Sequence, residues 1–322
     1  MLTCLAGSDA DHPKAHWAVV IFASRESVCE LVNTVRAARI AAGQRPKIDI
    51  IVNGNSALAF AVAEKFTTEP SPLLCGHFRV WFLSVADKAN AWNEYIRHIW
   101  SGETISFFID GYVRLNPDAI SLLGGGVALA SEALGGTGVP KITTKVDSSG
   151  QPSFARGFHG NFCCIKGSAM EEMRRRHIAL PFGLYRVDSL MGAFLNIGLD
   201  SSNAWVENRI LVHPAASWQT DQKLWWHFGD IGAQIKRVFR QSRGVLENFA
   251  VRDHLRTRKQ SPESLPATAS ELVLSWALRC PDQAAAVFRR NPLTRWTITR
   301  IRHPPIDQGS HTPPQLLASR AL

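Results

Sequence analysis

No apolar run in this 322-residue sequence approaches the roughly 20 residues that a bilayer-crossing helix needs. The opening stretch, MLTCLAGSDADHPK, has no basic segment followed by an apolar core, so no secretory signal is expected and a cytoplasmic setting follows. The six cysteines (Cys4, Cys29, Cys75, Cys163, Cys164 and Cys280) contain no Cys-x-x-Cys pair and no metal-ligand spacing. That argues against a zinc site and for reduced thiols. No Gly-x-Gly-x-x-Gly follows a strand and no P-loop signature occurs, which removes dinucleotide binding and P-loop chemistry. Acidic residues are scarce in one region. Between Lys223 and Arg302 there are 15 Lys plus Arg against 6 Asp plus Glu, so the whole formal charge of +9 arises there. Such a quarter invites an anionic partner: acidic lipid, nucleic acid or a phosphate-bearing substrate.

What is present is an alternation. WAVVIF (17–22) reads as a buried strand, followed by Ser24-Arg25-Glu26. Ser27 and Glu30 then form a capping box for a helix to about Ala42, closed by Gly43 and Pro46. KIDIIV (47–52) is a second strand, followed by Asn53-Gly54-Asn55-Ser56 and a helix near 57–65. HFRVWFLSV (77–85) is a third, leading into a helix from Asp87 to about Trp100 with Trp92, Ile96, Ile99 and Trp100 inward. ISFFID (105–110) is a fourth, ending on one acid, Asp110, beside Gly111 and Tyr112. Strand and helix taken in turn predict an α/β fold with a largely parallel sheet and right-handed crossovers. A carboxylate at the carboxyl end of a buried strand lies where open α/β sheets bind ligands.

Further along, Asn116-Pro117-Asp118 predicts a helix start with Asn as N-cap, and Gly124-Gly125-Gly126 a helix break. Residues 138–146 and 151–154 suit a hairpin around Asp147. FCCIK (162–166) is another strand, followed by a second capping box at Ser168 and Glu171. Arg174, Arg175, Arg176 and His177 then suit that helix's carboxyl end. Asp188 caps the helix SLMGAFLNIG, and residues 205–213 form the last strand. After it, Trp218, Trp225 and Trp226 alternate with basic residues, and helices are expected over 246–258 and 270–279. Two readings of this texture stand: a helix lying in a membrane interface, or helices closing over the sheet.

Five of these stretches, in this order, resemble the family-two glycosyltransferases, which have a GT-A fold. The turn Ser24-Arg25-Glu26 matches the family's nucleotide-contacting turn, or is an ordinary solvated turn. Asn53 and Asn55 stand where the family has an acid contacting the base. An amide there pairs with a uracil or guanine edge, or simply makes a turn. Lys88 and Asn93 match a donor-side helix, and Asp110-Gly111-Tyr112 matches the family's Asp-x-Asp with the second acid missing. LPFGLYRVD (180–188) matches the segment whose final acid, here Asp188, is the general base. His159 and Asn161 fall on the acceptor side.

The resemblance implies an inverting hexosyltransferase-like enzyme acting on a UDP-, GDP- or dTDP-sugar. It implies Asp110 binding Mg2+ or Mn2+, and a sugar or lipid-linked acceptor in cell-surface polysaccharide or glycolipid synthesis. It implies no nucleic acid partner, and allows a peripheral seat on an anionic membrane face. The rivals are a nucleotidyltransferase on a similar sheet and a non-catalytic GT-A binding module. The expected organisation is a leader over 1–15, the GT-A domain over 16–215, a basic aromatic helical extension over 216–302 and a disordered tail over 303–322.

Overall fold

The computed structural model describes residues 17–43, 46–68, 77–141, 157–220, 231–301 and 312–320, with side chains over 231–236 left aside. The elements over these residues are β1 (Trp17–Ala23), α1 (Val28–Ala42), β2 (Lys47–Asn53), α2 (Ser56–Thr68), β3 (Phe78–Leu83), α3 (Lys88–Glu94) and β4 (Ile105–Asp110). There follow β5 (Val113–Leu115), α4 (Ala119–Leu129), β6 (Gly135–Pro140), β7 (Phe162–Lys166), α5 (Gly167–Arg175), α6 (Val187–Asn196) and β8 (Ile210–Thr220). The chain continues with α7 (Ile231–Arg252), α8 (Ala269–Arg279), α9 (Pro281–Arg290), α10 (Pro292–Ile301) and β9 (Gln315–Arg320). The strands form one sheet in the order β5-β8-β6-β7-β4-β1-β2-β3-β9.

The contiguous run β3-β2-β1-β4 is parallel, as the alternation of strand and helix requires. Because side chains alternate across a strand, Val19 and Ile21 of β1 enter the core under α1, α2 and α4. Val20 and Phe22 enter the opposite core, with Trp92, Met191 and Phe194. β4 is buried throughout. The register pairs Phe22 with Asp110 and Asn53 with Leu83, so the carboxyl ends of all four strands share one edge. β7 runs antiparallel to β4 with Phe162 opposite Ile109, which returns residues 157–161 to that same edge.

Local signals were accurate where the partner lies within a turn. Ser27 and Glu30 make both bonds of the capping box, 3.2 and 2.7 Å, and Asp87 caps α3 by accepting from Asn90 N at 2.7 Å. Elsewhere distant partners override them. Asn116 is not the α4 cap, because its amide donates to Ser217 Oγ (2.6 Å) and the helix begins at Ala119. Gly124–Gly126 lie inside α4 and do not break it. A Cβ on Gly124 would stand 2.6 Å from the Trp17 ring, and one on Gly126 2.7 Å from Leu211, so these glycines let the helix approach the sheet. Ser168 does not cap α5, which starts at Gly167 directly from β7. The basic run does sit in the last turn of α5, as expected, and Arg174, donating to Ile96 O and Trp100 O, and Arg176, donating to Leu199 O, also tie the helix to its neighbours.

The last domain strand starts at Ile210 rather than 205 and reaches Thr220, beyond the expected boundary at 215. Within the expected disordered tail, residues 315–320 form β9, which covers the edge of β3 by antiparallel pairing. The leader, most of the 138–154 hairpin, Trp225 and Trp226 lie outside the described residues. The extension folds as helices α7–α10 around a core of its own that includes Leu246, Trp276 and Ile298.

Candidate active site

At the shared strand edge, Asp110 is half of an ion pair. Lys88 Nζ donates to its Oδ1, while the Tyr112 hydroxyl donates to Oδ2 at 3.0 Å. Burial alone would lower the Lys88 ammonium pKa, but the Asp110 carboxylate, with Asp188 behind it, holds it above the ordinary lysine value. Burial and the Asp110 carboxylate push the Tyr112 phenol upward, so it remains a donor. Tyr112 thus stands two residues after the acid and caps its carboxylate.

Asp188 joins this pair through the loop 157–161. Lys88 Nζ lies 3.4 Å from Gly160 O, and a Cβ on Gly160 would stand 3.1 Å from Asp188 Cβ and 3.7 Å from Lys88 Nζ. A side chain at 160 would separate the two. Asp188 sits in the first turn of α6 with no capping bond of its own. It also lines a cavity of about 880 Å3 formed with Phe158, Asn196, Trp205, Glu132 and Glu207. Lys88, Asp110 and Asp188 are therefore brought together, with Asp188 between the ion pair and the cavity.

The other expected residues are placed at this edge but engaged within the chain. Glu26 Oε2 accepts from Ser24 N (2.6 Å) and Arg25 N (2.8 Å), folding the turn on itself. Gly111 N donates to Phe22 O at 2.8 Å, seating the Asp110 turn against β1. Asn55 donates to Ser24 O and accepts from Leu58 N, capping α2. With its amide turned to satisfy both neighbours, Asn53 donates to Ala23 O (2.6 Å) and accepts from Asp87 N (3.3 Å). Asn93 makes a two-bond clamp with Leu180, 2.9 Å each way. His159 N donates to Thr137 Oγ1, and Asn161 O accepts from Asp110 N. Asn53 and Asn55 hold strand ends in place, and Asn93 ties α3 to the Leu180 segment.

The residues around Asp110 do not fit a resident divalent ion. Both carboxylate oxygens already accept from Lys88 and Tyr112, and among the described residues no three His, Cys, Asp or Glu side chains converge on a common point. Hard cations require several oxygen ligands, and an ammonium already occupies the Asp110 carboxylate.

Sequence reasoning missed the supports of this site. Glu247 of α7 accepts from Tyr185 N (3.1 and 3.0 Å) and Arg186 N (3.0 Å), immediately before α6. Arg243, paired to Glu247 at 2.9 Å, donates to Gly183 O at 2.6 Å. Gly183 N in turn donates to Asp87 Oδ2 at 2.9 Å, next to Lys88. It also missed Asn196 and Trp205; a tryptophan after the polar run Ser201-Ser202-Asn203 is the only local signal.

No protein-family model and no curated protein matches the sequence. Among solved structures, the chain is similar to a mannosyltransferase from Pyrobaculum calidifontis in complex with GDP-Man and Mn2+. The TM-score is 0.54, with 12% identity over 91% of this chain and 86% of that one. It is also similar to mannosyl-3-phosphoglycerate synthase from Rubrobacter xylanophilus, with TM-score 0.47 and 10% identity over 73% and 74% of the two chains. A third likeness is to S. aureus TarS residues 1–349, with TM-score 0.43 and 12% identity over 89% and 91%. The first of these, with the sheet order above, gives the chain the GT-A fold.

Proposed function

We propose that this protein is an inverting glycosyltransferase that moves a sugar from a nucleotide-sugar to a hydroxyl acceptor. The observation that carries the reading is the position of Asp188. Its carboxylate stands beside the Lys88–Asp110 pair on one side and opens onto a cavity on the other. The donor's place is the strand edge near Ser24, Arg25, Glu26, Asn53, Asn55, Lys88, Asn93, Asp110, Gly111 and Tyr112. The acceptor's place is the cavity side, with His159 and Asn161 in the loop between.

In this mechanism the acceptor hydroxyl oxygen forms a bond to the anomeric carbon while the bond from that carbon to the diphosphate oxygen breaks. The bonding electrons leave with the nucleoside diphosphate, and Asp188 takes the hydroxyl proton. A single in-line displacement inverts the anomeric centre. Lys88 supplies the fixed positive charge at the strand edge.

Release of UDP, GDP or dTDP from the matching nucleotide-sugars, followed with and without acceptor extracts, tests the reading. Turnover of one donor is expected. Absence of binding and turnover with all three donors, in Mn2+ and in EDTA, rejects it. Exchange of inorganic pyrophosphate into a nucleotide-sugar would instead identify a nucleotidyltransferase.

A further inference from the structure

A second cavity adjoins the one that Asp188 lines. It has about 180 Å3, lies between the start of α6 and the end of α7, and shares Ser189, Ala193 and Trp205 with its larger neighbour. Whole small-molecule sites run to roughly 300–1,000 Å3, so this one suits a single group of a larger ligand. Three arginines give its wall its charge. Arg186 stands just before α6. Arg252 and Arg256 stand four positions apart, where α7 runs on into a π-helical turn over Asp253–Thr257. Such turns are rare and recur at functional sites.

The acids within reach are committed elsewhere. Glu247 is the one carboxylate on this wall among the described residues, and Arg243, Tyr185 N and Arg186 N already donate to it. Asp253, between the two helix arginines in sequence, accepts from Arg279 Nη2 at 3.2 Å. Neither Arg252 nor Arg256 forms an ion pair among the described residues. The Arg256 guanidinium lies over the Trp205 ring instead, 4.8 Å from its centre. Stacking uses the face of a guanidinium and leaves its edge N–H donors for another partner. Gly244 makes room for Arg186, since a Cβ there would stand 2.7 Å from the Arg186 Nε.

Like charges four positions apart on a helix repel, and a third guanidinium nearby adds to the cost. An oxyanion that accepts from two of them replaces that repulsion with charge-assisted hydrogen bonds, and the planar guanidinium fork matches phosphate. The donor's diphosphate has its place at the strand edge beside Lys88. This cavity lies beyond Asp188, on the acceptor's side, and meets the larger cavity at Trp205. We infer that it binds a phosphate group of the acceptor, held by Arg252 and Arg256 with Arg186 beside them. The rest of the acceptor crosses Trp205 into the larger cavity, where its hydroxyl meets Asp188. This rests on the glycosyltransferase reading, and it makes the acceptor a phosphate ester, either a soluble one or a lipid headgroup.

The test titrates the full chain by calorimetry with inorganic phosphate, glucose 1-phosphate and glycerol 3-phosphate. Flotation with vesicles of phosphatidylcholine containing phosphatidic acid runs beside it. At least one phosphate probe should bind saturably, and prior saturation with nucleoside diphosphate should leave that binding in place. Arg252→Gln combined with Arg256→Gln should weaken it about tenfold or more, the scale of losing charge-assisted hydrogen bonds. Arg289→Gln combined with Arg290→Gln removes the same charge from exposed positions of α9 and should change it by less than about twofold. Nucleoside diphosphate affinity should stay within about twofold in both double variants. Binding of a soluble probe makes the acceptor phosphate a soluble one, and binding of the phosphatidic acid vesicles alone makes it a lipid headgroup. The inference is overturned if no phosphate probe binds a wild type that binds nucleotide, if nucleotide displaces the probe, or if the two double variants affect binding equally. Phosphate binding that depends on Arg252 and Arg256, in a wild type that binds no nucleotide-sugar, overturns the glycosyltransferase reading and leaves the phosphate site standing. A wild type that binds neither overturns both.

Discussion

Asp188 and Lys88 make opposite demands on one small volume. Asp188 lies in the first turn of α6, where the helix end favours its negative charge, and it has Lys88 behind Gly160. Replacing Asp188 by Asn keeps shape and hydrogen bonding but removes the proposed proton acceptor. Transfer should fall about 100-fold or more, the usual scale for a general base. Nucleotide affinity should change by no more than a few-fold, since ground-state donor contacts are untouched. Steady-state rates beside calorimetry check this, and near-normal turnover would reduce Asp188 to a helix residue. Lys88 bears on the metal question. Because its ammonium already occupies Asp110, free wild type should bind Mn2+ weakly, and Lys88→Met should bind it about tenfold more tightly. Titration of Mn2+ followed by electron paramagnetic resonance reads both affinities. Wild type binding Mn2+ as tightly as the variant would show that the ammonium does not guard the carboxylate.

At the scale of elements, the C-terminal extension is a support for the site as well as an appendage. α7 reaches the start of α6 through Glu247, which is fully buried and accepts backbone N–H groups from Tyr185 and Arg186. Burial raises the Glu247 carboxyl pKa, and Arg243 together with those N–H groups opposes the shift. From Arg243 the contacts continue through Gly183 to Asp87, the cap of the helix that carries Lys88. Phe182 and Ala269 add a short backbone bridge between the same loop and α8. Glu247→Ala leaves buried N–H groups and Arg243 without their partner. Denaturant unfolding should show a loss of about 3–5 kcal/mol. Turnover should fall in the folded fraction while nucleotide affinity holds. A stability change under about 0.5 kcal/mol would show that α7 does not hold this loop.

The whole molecule is polarised in charge, and the extension's outer face mixes that charge with exposed apolar groups. Trp296 and Val238 are exposed beside Arg237, Arg240, Arg295 and Arg300, with the Phe239 ring tilted against Trp296 at 4.1 Å between centroids and Arg300 4.2 Å from the same ring. Among the described residues no helix is long and apolar enough to cross a membrane. We expect flotation with vesicles of phosphatidylcholine and phosphatidylserine at low salt. It should decline steeply as salt rises, because exposed charges are screened beyond about 8–10 Å at 0.1–0.15 M. Replacing Arg240, Arg295 and Arg300 by Gln should halve or abolish it. Flotation indifferent to salt and to these replacements would end the membrane reading.

The parts of this protein that its sequence determined alone are those whose causes lie within a few residues of each other. The buried runs at 17–22, 47–52 and 105–110, the Ser27–Glu30 box and the Asp87 cap all belong to this class, and with them the parallel sheet and the shared edge of its strand ends. Asp110, Lys88 and Asp188 could be singled out because each stands at the end of such an element. Which side chains remain available to a ligand depended on partners far along the chain. Asn93 meets Leu180 87 positions away, and Asn116 meets Ser217 101 away. The Lys88 ammonium on Asp110, Asn196 and Trp205 on one cavity wall, and β9 on the edge of β3 arise in the same way. Hydrogen bonding and charge pairing are decided by proximity in space, and only the closed fold sets that proximity.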